Sequence, residues 1–323
     1  MPGEIIFLGD FGGTHLRMAL RTAKGPEQIA VYKVAEWPGI DDVLRDYAAK
    51  TATDLRGAAL YLAHTGHVID GGLTLHYRET KPWSFRLDAV RDTFDLARLE
   101  AVNDLEAAAF AVLHESVPVF EIVRPGANDA RSDAVVMGLG TGIGHAYINC
   151  TTHLTRETYG GHFPATGVTG RQRALIEMMR IQKRDNQTFI AEDILSGEGL
   201  MRLYRTMAQY TNQPAQAKTV QDIIPLRDRD PLVKETASVF SEFLGLHAHM
   251  LCSVAHAYGG IYLCGGLFDR LYRAGLFDQR AFLENLHQSM VPVVDHSLRA
   301  TAVFVARVEH VSLYGLDVRA ARS

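Results

Sequence analysis

Several short stretches of this chain place glycine, threonine and aspartate where they could handle a phosphate. Asp10-Phe11-Gly12-Gly13-Thr14 follows an apolar run, and Gly140-Thr141-Gly142-Ile143-Gly144 follows another. Backbone N–H groups in a tight glycine turn can point together at an anion, and the missing Cβ allows it to come close. The hydroxyls of Thr14 and Thr141 would add donors to phosphate oxygens. Asp10 is suited to a Mg²⁺ ion, directly or through water, because Mg²⁺ favours one or two carboxylates together with phosphate oxygens. The plainer reading of Asp10 is an Asx-turn residue. Asn103-Asp104 stands where a strand-like run meets a run of helix formers. An aspartate there can simply cap the helix. It can also take the proton of an attacking hydroxyl.

The elements that must hold these residues follow from local pattern. Residues 4–9 are β-rich and apolar; residues 15–21 alternate Leu16, Met18 and Leu20 with Arg17 and Arg21. The two runs with their turn read as strand, glycine turn, strand. Residues 134–139 and 145–149 repeat that reading around the second turn, 127 residues later counted from Thr14 to Thr141. The spacing suggests a duplicated architecture, the plainer alternative being two unrelated hairpins. Residues 57–63 and 99–102 read as strands and 104–114 as a helix. Past the second turn, helices are expected over 172–183, 191–210 and 231–258, the last closed by Gly259-Gly260. A buried strand at 261–264 leads into a glycine turn and a helix start. A strand over 301–308 and a helix over 313–319 close the chain. Strands alternating with helices indicate an α/β fold. The Pro/Gly/Asn/Asp-rich stretch 124–133 reads as a surface loop.

Composition narrows the classes. The chain has 323 residues, 47 % hydrophobic and 22 % charged, with a formal charge of −4. It is long enough for one large or two ordinary domains with a proper core. The weakly acidic balance argues against nucleic acid or an anionic membrane as a partner, since both need a basic footprint. Cys150, Cys252 and Cys264 are three and widely spaced, which is no disulfide framework. Met1 to Glu4 has no basic region leading a long apolar core, so no signal peptide is expected, and no apolar run approaches the ~20 residues of a membrane span. A cytoplasmic protein is the expectation. Several motifs fail: Gly138 and Gly140 lead to Ile143 rather than the third glycine of a Rossmann turn, and no Walker P-loop, H-E-x-x-H or G-x-S-x-G occurs. His247, His249, Cys252 and His256 lie on one expected helix, and Cys252 with His256 is a metal-capable i, i+4 pair. A core helix explains the set better. The Asn186-Gln187-Thr188 sequon is expected to be idle.

The order of the motifs resembles that of the bacterial glucokinases, in the hexokinase-like branch of the sugar kinase/Hsp70/actin superfamily, over nearly the whole chain. Leu8 to Arg17 resembles the first phosphate motif of that family, Val102 to Ala109 its connecting segment with the catalytic aspartate, Met137 to Gly144 its second phosphate motif, and Ile261 to Gly266 its adenosine motif. Gly160-Gly161-His162 and Ala191 to Gly197 resemble the sugar-site segments. The resemblance implies a two-lobed actin-like ATPase (ribonuclease H-like) fold with an interlobe cleft. The expected small lobe is 1–108 plus 309–323 and the large lobe 109–308. It implies ATP-dependent phosphorylation of a hexose, most simply glucose at its 6-hydroxyl, with ATP and Mg²⁺. Asp104 would be the catalytic base. Asn103, Asp104, His162 and Glu192 would contact the sugar, with Tyr159 beside them. Asp10, Gly12, Gly13, Thr14, Gly140, Thr141, Gly142, Gly265 and Gly266 would form the nucleotide and metal site. Sugar and nucleotide would be the partners, and a homodimer is expected by analogy.

Two departures bear on the substrate. The family usually has Glu-Gly-Gly-His, its glutamate gripping the sugar, and Tyr159 stands in that place here. Losing a hydrogen bond to a charged group costs ~1.5–3 kcal/mol, roughly ten- to a hundredfold in affinity. The family's Leu-Thr-Asn stretch has its nearest match at Leu75-His76-Tyr77, and Arg78 to Pro82 lengthens the approach to Trp83. The alternatives are therefore a kinase for mannose, fructose or an amino sugar, a polyphosphate-using enzyme, a sugar-binding regulator without activity, and an actin/Hsp70-like ATPase.

Overall fold

The structure, a computed structural model, describes residues 4–12, 14–75, 83–127, 131–183, 187–289 and 291–322. Gly13, the His76-Tyr77 match with Arg78 to Pro82, and Asn186 of the sequon lie outside the described residues. The chain forms two compact units. One runs to Val119 and resumes at Arg307; the other is Phe120–Ala306. The sequence reading put the divisions at 108/109 and 308/309.

The first unit is built on a five-stranded sheet in the order Gly25–Lys33, His15–Thr22, Ile6–Phe11, Ala59–His64, Arg98–Asn103. Strand Ile6–Phe11 is buried throughout, antiparallel to His15–Thr22 and parallel to Ala59–His64. Period-two alternation divides its side chains between two cores. Phe7 and Phe11 join Leu16, Tyr47, Leu60 and Leu62 on one face. Ile6 and Leu8 join Ala59, Tyr61, Ala107 and Leu316 on the other. Each such buried large side chain stabilises the fold by roughly 1.5–3 kcal/mol. The second face is covered by helices Asp104–Phe110 and Val311–Arg322. These helices lie so close that a Cβ at Gly315 would overlap the carbonyl oxygen of Ala107. Ala107, Ala108 and Ala109, all buried, are small enough to permit that approach. The position of the helix that begins at Asp104 is thus set by the C-terminal helix. Strands His67–Ile69, Gly72–Leu75 and Trp83–Arg86 form a separate small sheet.

The second unit repeats the plan. Its sheet runs Thr155–Thr158, Ile143–Asn149, Asp133–Leu139, Ile261–Cys264, Val303–Ala306, Phe120–Arg124. Each sheet therefore has a three-stranded antiparallel meander whose first strand continues into parallel neighbours. The two glycine-turn hairpins occupy the same place in their sheets, as the 127-residue repeat suggests. The second sheet adds Phe120–Arg124 as an antiparallel edge. Edge strands such as Thr155–Thr158 carry mixed polarity and so leave little trace in the sequence.

Helices Ile40–Thr51, Leu87–Thr93, Val220–Leu226, Gln279–Leu286 and Pro292–Ala300 are not among the expected ones, the expected helix 104–114 ends at Phe110, and two others differ as follows. The expected helix 191–210 is broken: Ala191–Asp193 is a 3₁₀ turn, and the helix proper is Gly197–Tyr210, where the Ser196 hydroxyl accepts the Gly199 N–H at 3.0 Å. The long helix is Pro231–Ala255, capped by the Asp230 side chain on the Leu232 N–H. It stops short of Gly259-Gly260 because His256 takes a left-handed conformation, φ 51°. On this helix His249 Nδ1 donates to the Leu286 carbonyl at 2.9 Å, and burial pushes the Cys252 thiol up to about 12. The described residues contain no group of three or more His, Cys, Asp or Glu that could hold a metal ion, and no helix long and apolar enough to cross a membrane.

Candidate active site

In the first unit the candidate residues gather at the carboxyl edge of the sheet. Asp10 is the fifth residue of a buried strand, and the parallel register aligns Phe11 with His64 and His64 with Asn103. With neighbouring strands ~4.8 Å apart, the end of the first strand lies roughly 10 Å from Asn103. This is the edge where open α/β sheets bind ligands. Asp10 is 6 % exposed and accepts a hydrogen bond from Arg17 Nη1 at 3.2 Å, its direct partner across the hairpin. That pairing replaces the Asx-turn reading. Burial lifts the Asp10 carboxyl above its ordinary range, with the charges of Arg17 and His310 acting against the lift. The turn itself is closed by the Gly12 N–H on the His15 carbonyl at 3.1 Å, and Thr14 is exposed at its tip.

The capping question at Asn103-Asp104 has a definite answer. Asn103 Oδ1 accepts the N–H of Leu105 at 2.8 Å and of Glu106 at 3.4 Å. Asn103 is therefore the N-cap, and Asp104 is the first helical residue rather than the cap. A helix N-terminus favours negative charge, so the half-buried Asp104 carboxylate sits at its favourable end. Its backbone carbonyl accepts from the Ser312 hydroxyl at 3.4 Å, a second tie to the C-terminal helix.

In the second unit the glycine turn is fixed from three sides. Gly140 donates to the Gly142 carbonyl at 2.8 Å, and Gly197, at the start of its helix, donates to the Gly140 carbonyl at 3.0 Å. Thr141 is exposed at the tip. Gly265 has φ 98°, and a Cβ there would lie 2.5 Å from the Leu139 nitrogen. Only glycine meets both conditions. It lets helix Gly266–Arg273 begin against the residue that precedes the turn, with open space at Gly140 and Gly266. Turn amides and a helix N-terminus thus converge, a ready anion site.

The sugar-site candidates of this unit adjoin the same turn. Glu192 Oε2 accepts the Ile143 N–H at 3.0 Å and lies against Gly142. The Ala191 N–H donates to the Phe163 carbonyl at 2.8 Å, joining the Glu192 segment to the Gly160–His162 turn. Tyr159 is 59 % exposed, its ring 5.8 Å from that of His162. Behind the turn lie His145 and His247, 1 % and 3 % exposed, with Nε2 atoms 3.0 Å apart. Burial holds both imidazoles below their ordinary value, His145 further lowered by His247 and His247 itself at about 4. Sequence reading placed His247 on a core helix and Arg17 in a strand, but gave neither this pair nor the bond of Arg17 to Asp10. Arg17 could have been found as the charged residue opposite Asp10 in an otherwise apolar hairpin.

Paired sheets of one order, each with a Gly/Thr hairpin at the same edge, define the actin-like ATPase fold of the sugar kinases. The glucokinase family profile matches residues 7–323. The curated glucokinase of Paramagnetospirillum magneticum is 32 % identical over 286 residues, 84 % of each chain. Among solved structures, a glucokinase from an Antarctic psychrotroph superposes with a TM-score of 0.84 at 24 % identity, covering 99 % of this chain and 100 % of that one. A glucokinase of Streptomyces griseus solved with glucose and AMPPNP gives 0.64 at 18 %, covering 98 % and 99 %. The chain belongs to the glucokinase family.

Proposed function

We propose that this protein transfers the γ-phosphoryl group of ATP to the 6-hydroxyl of glucose, giving glucose 6-phosphate and ADP. The observation that supports the assignment of the base is the placement: Asn103 is the cap, and Asp104 stands half-buried as the first residue of the helix, at its anion-favouring end and beside the carboxyl edge of the sheet. Asp104 orients the sugar hydroxyl and accepts its proton as the oxygen attacks the γ-phosphorus and the bond to the β,γ-bridging oxygen breaks. General-base action of this kind contributes about 10²–10⁴-fold. Asn103, His162 and Glu192 hold sugar hydroxyls, with Tyr159 at their rim. Gly12, Gly13 and Thr14 serve the triphosphate, as do Gly140, whose open side allows close approach, and the amides of Thr141 and Gly142. Gly265 and Gly266 carry the adenosine side.

The residues fit a Mg²⁺ ion of the sort kinases use. One buried carboxylate beside a glycine turn suits an ion that keeps waters and takes most of its remaining ligands from phosphate. Asp10 would hold it through water, and the ion would supply charge neutralisation for the transferring group. A cytoplasmic homodimer completes the reading.

A coupled assay with glucose, mannose, fructose and glucosamine against ATP and polyphosphate tests it. Glucose with ATP is expected to give the highest kcat/KM. Asp104→Ala should lose about a thousandfold in kcat while still binding glucose. Near-normal turnover in that variant would remove Asp104 from the role.

A further inference from the structure

We propose that the buried His145–His247 pair is a positioning element for the sugar-gripping turn Tyr159–His162, fixing that turn through Gly160. The inference rests on the reading of this turn as part of the sugar site. It starts from register. His145 lies directly across from Thr158, the last residue of its strand, so its ring stands where the chain leaves the sheet to form the turn. A Cβ at Gly160 would lie 2.7 Å from Leu251 Cδ2 and 3.3 Å from His145 Nδ1. A Cβ at Gly161 would lie 2.6 Å from the Ile143 carbonyl oxygen. Both glycines are thus pressed onto the strand and the long helix, and His145 is part of the surface they rest on.

His247 reaches from the long helix to the same place. It lines a small cavity with Pro164, Ala165, Ala191 and Leu195, residues of the segments that follow His162 and flank Glu192. One imidazole pair therefore touches the supports of both sugar-site segments. Its internal bond also dictates chemistry. Two neutral rings joined through Nε2 atoms share one proton there, so one ring donates and the other accepts. His145 Nδ1 is buried and has no hydrogen-bond partner among the described residues. A buried N–H left unpaired costs more than a buried lone pair that lacks a donor. The favoured arrangement has His145 donating from Nε2, with the Nδ1 lone pair toward Gly160, and His247 protonated on Nδ1. A buried polar pair with one unpartnered atom calls for a functional reason, since two apolar rings would fill this space at less cost.

Four variants separate this role from mere packing. His145→Phe removes the bond. His145→Asn keeps a polar group but falls short of His247. His145→Gln and His247→Gln place an amide where Nε2 was. Expected for His145→Phe and His145→Asn is a rise of about tenfold in glucose KM, with ATP KM and kcat within about twofold of the parent. His145→Gln should recover most of that loss. Amide hydrogen exchange read without substrate should quicken about tenfold at 160–163 in His145→Phe and His145→Asn and return in His145→Gln. Unchanged glucose KM together with unchanged exchange at 160–163 overturns the proposal while leaving the kinase reading intact. So does Gln damaging the enzyme as much as Asn. If the parent phosphorylates no sugar, the kinase reading falls, and the exchange measurement alone still decides whether the pair holds the turn.

Discussion

The two glycine turns occupy the same place in sheets of the same order, yet they are built for different work. The first follows Asp10, a buried carboxylate held by Arg17 across the hairpin, and shares its sheet edge with Asn103 and Asp104. The second follows Leu139, an apolar residue, and has Gly138 facing Gly144 across the hairpin and Cys264 on the parallel side. Around it are the Gly197 N–H on its carbonyl, the start of a helix brought close by Gly265, and one carboxylate from outside the sheet, Glu192, on the Ile143 N–H. One copy of the plan supplies side-chain charge and the proposed base. The other supplies amides and close approach. A duplicated scaffold lets these two tasks vary separately, since each turn has its own sheet and its own neighbours.

If that division is right, charge changes in the first unit should strike turnover, and backbone changes in the second should strike nucleotide affinity. After the loss expected of Asp104→Ala, the largest effect falls on Asp10→Asn. A neutral amide would hold a cation more weakly than the carboxylate, and kcat should fall about 100-fold with glucose KM little changed. Raising Mg²⁺ should restore little of it. A variant that lost ATP affinity but not kcat would erase the contrast. Next in size is Gly265→Ala. A methyl group at φ 98°, pressed on the Leu139 backbone, should cost about 2–3 kcal/mol. The expected signs are a lower melting temperature and an ATP KM raised about tenfold or more, with kcat at saturation nearly kept. A kcat loss equal to that of Asp10→Asn would show that both turns act on the transition state alike.

The legible parts of the molecule were those whose chemistry is local. A glycine turn between apolar strands shows itself within five or six residues, so both hairpins and their repeat could be read from the chain. So could Asn103-Asp104 as a strand-to-helix junction. Which of those two neighbours caps could not, since both side chains are competent and the backbone angles at 103 decide. Glu192 was placed by resemblance as a sugar ligand, but its bond to the Ile143 N–H spans 49 residues and exists only in the folded chain. After the 3₁₀ turn Ala191–Asp193 the Ser196 hydroxyl caps a fresh helix start at Gly197, which is why 191–210 is not one helix. His145 and His247 are 102 residues apart and ordinary in isolation.

The histidine pair yields a third test, smaller in size and confined to the second unit. Burial holds both rings below the ordinary histidine value, so the unfolded chain binds more protons than the folded one between about pH 6.5 and about 4. Stability is then complete above pH 6.5 and falls as the solution is acidified, by about 1.4 kcal/mol per pH unit for each histidine. Among the described residues the causes are burial of both rings and, for His145, the nearby His247. Nearby Tyr147 and Cys252 stay neutral in that window because burial raises both. Urea unfolding at pH 7 and pH 5.5 should show a weaker pH dependence in His145→Gln/His247→Gln than in the parent. Equal slopes would mean that the pair is not neutral in the folded protein. Working from differences removes the contributions of His287 and His310, which burial also lowers.

The smallest expected effect falls on the cap and returns to the first unit. Asn103→Ala removes one acceptor from two helix N–H groups, a stability loss of about 1 kcal/mol. If capping were its whole role, Asn103→Asp, which caps as well, would behave like the parent. The proposed site asks more of this residue, because the Asn103 amide N–H₂ is outside the cap and carries a donor that aspartate lacks. Asn103→Asp should therefore keep the melting temperature and still lose glucose affinity, as a second carboxylate beside Asp104 repels where the amide donated. The split between an intact melt and a weakened sugar KM would separate the residue's two duties. Loss of both together, or of neither, would reduce Asn103 to a helix cap and leave Asp104 without its neighbour in the sugar site.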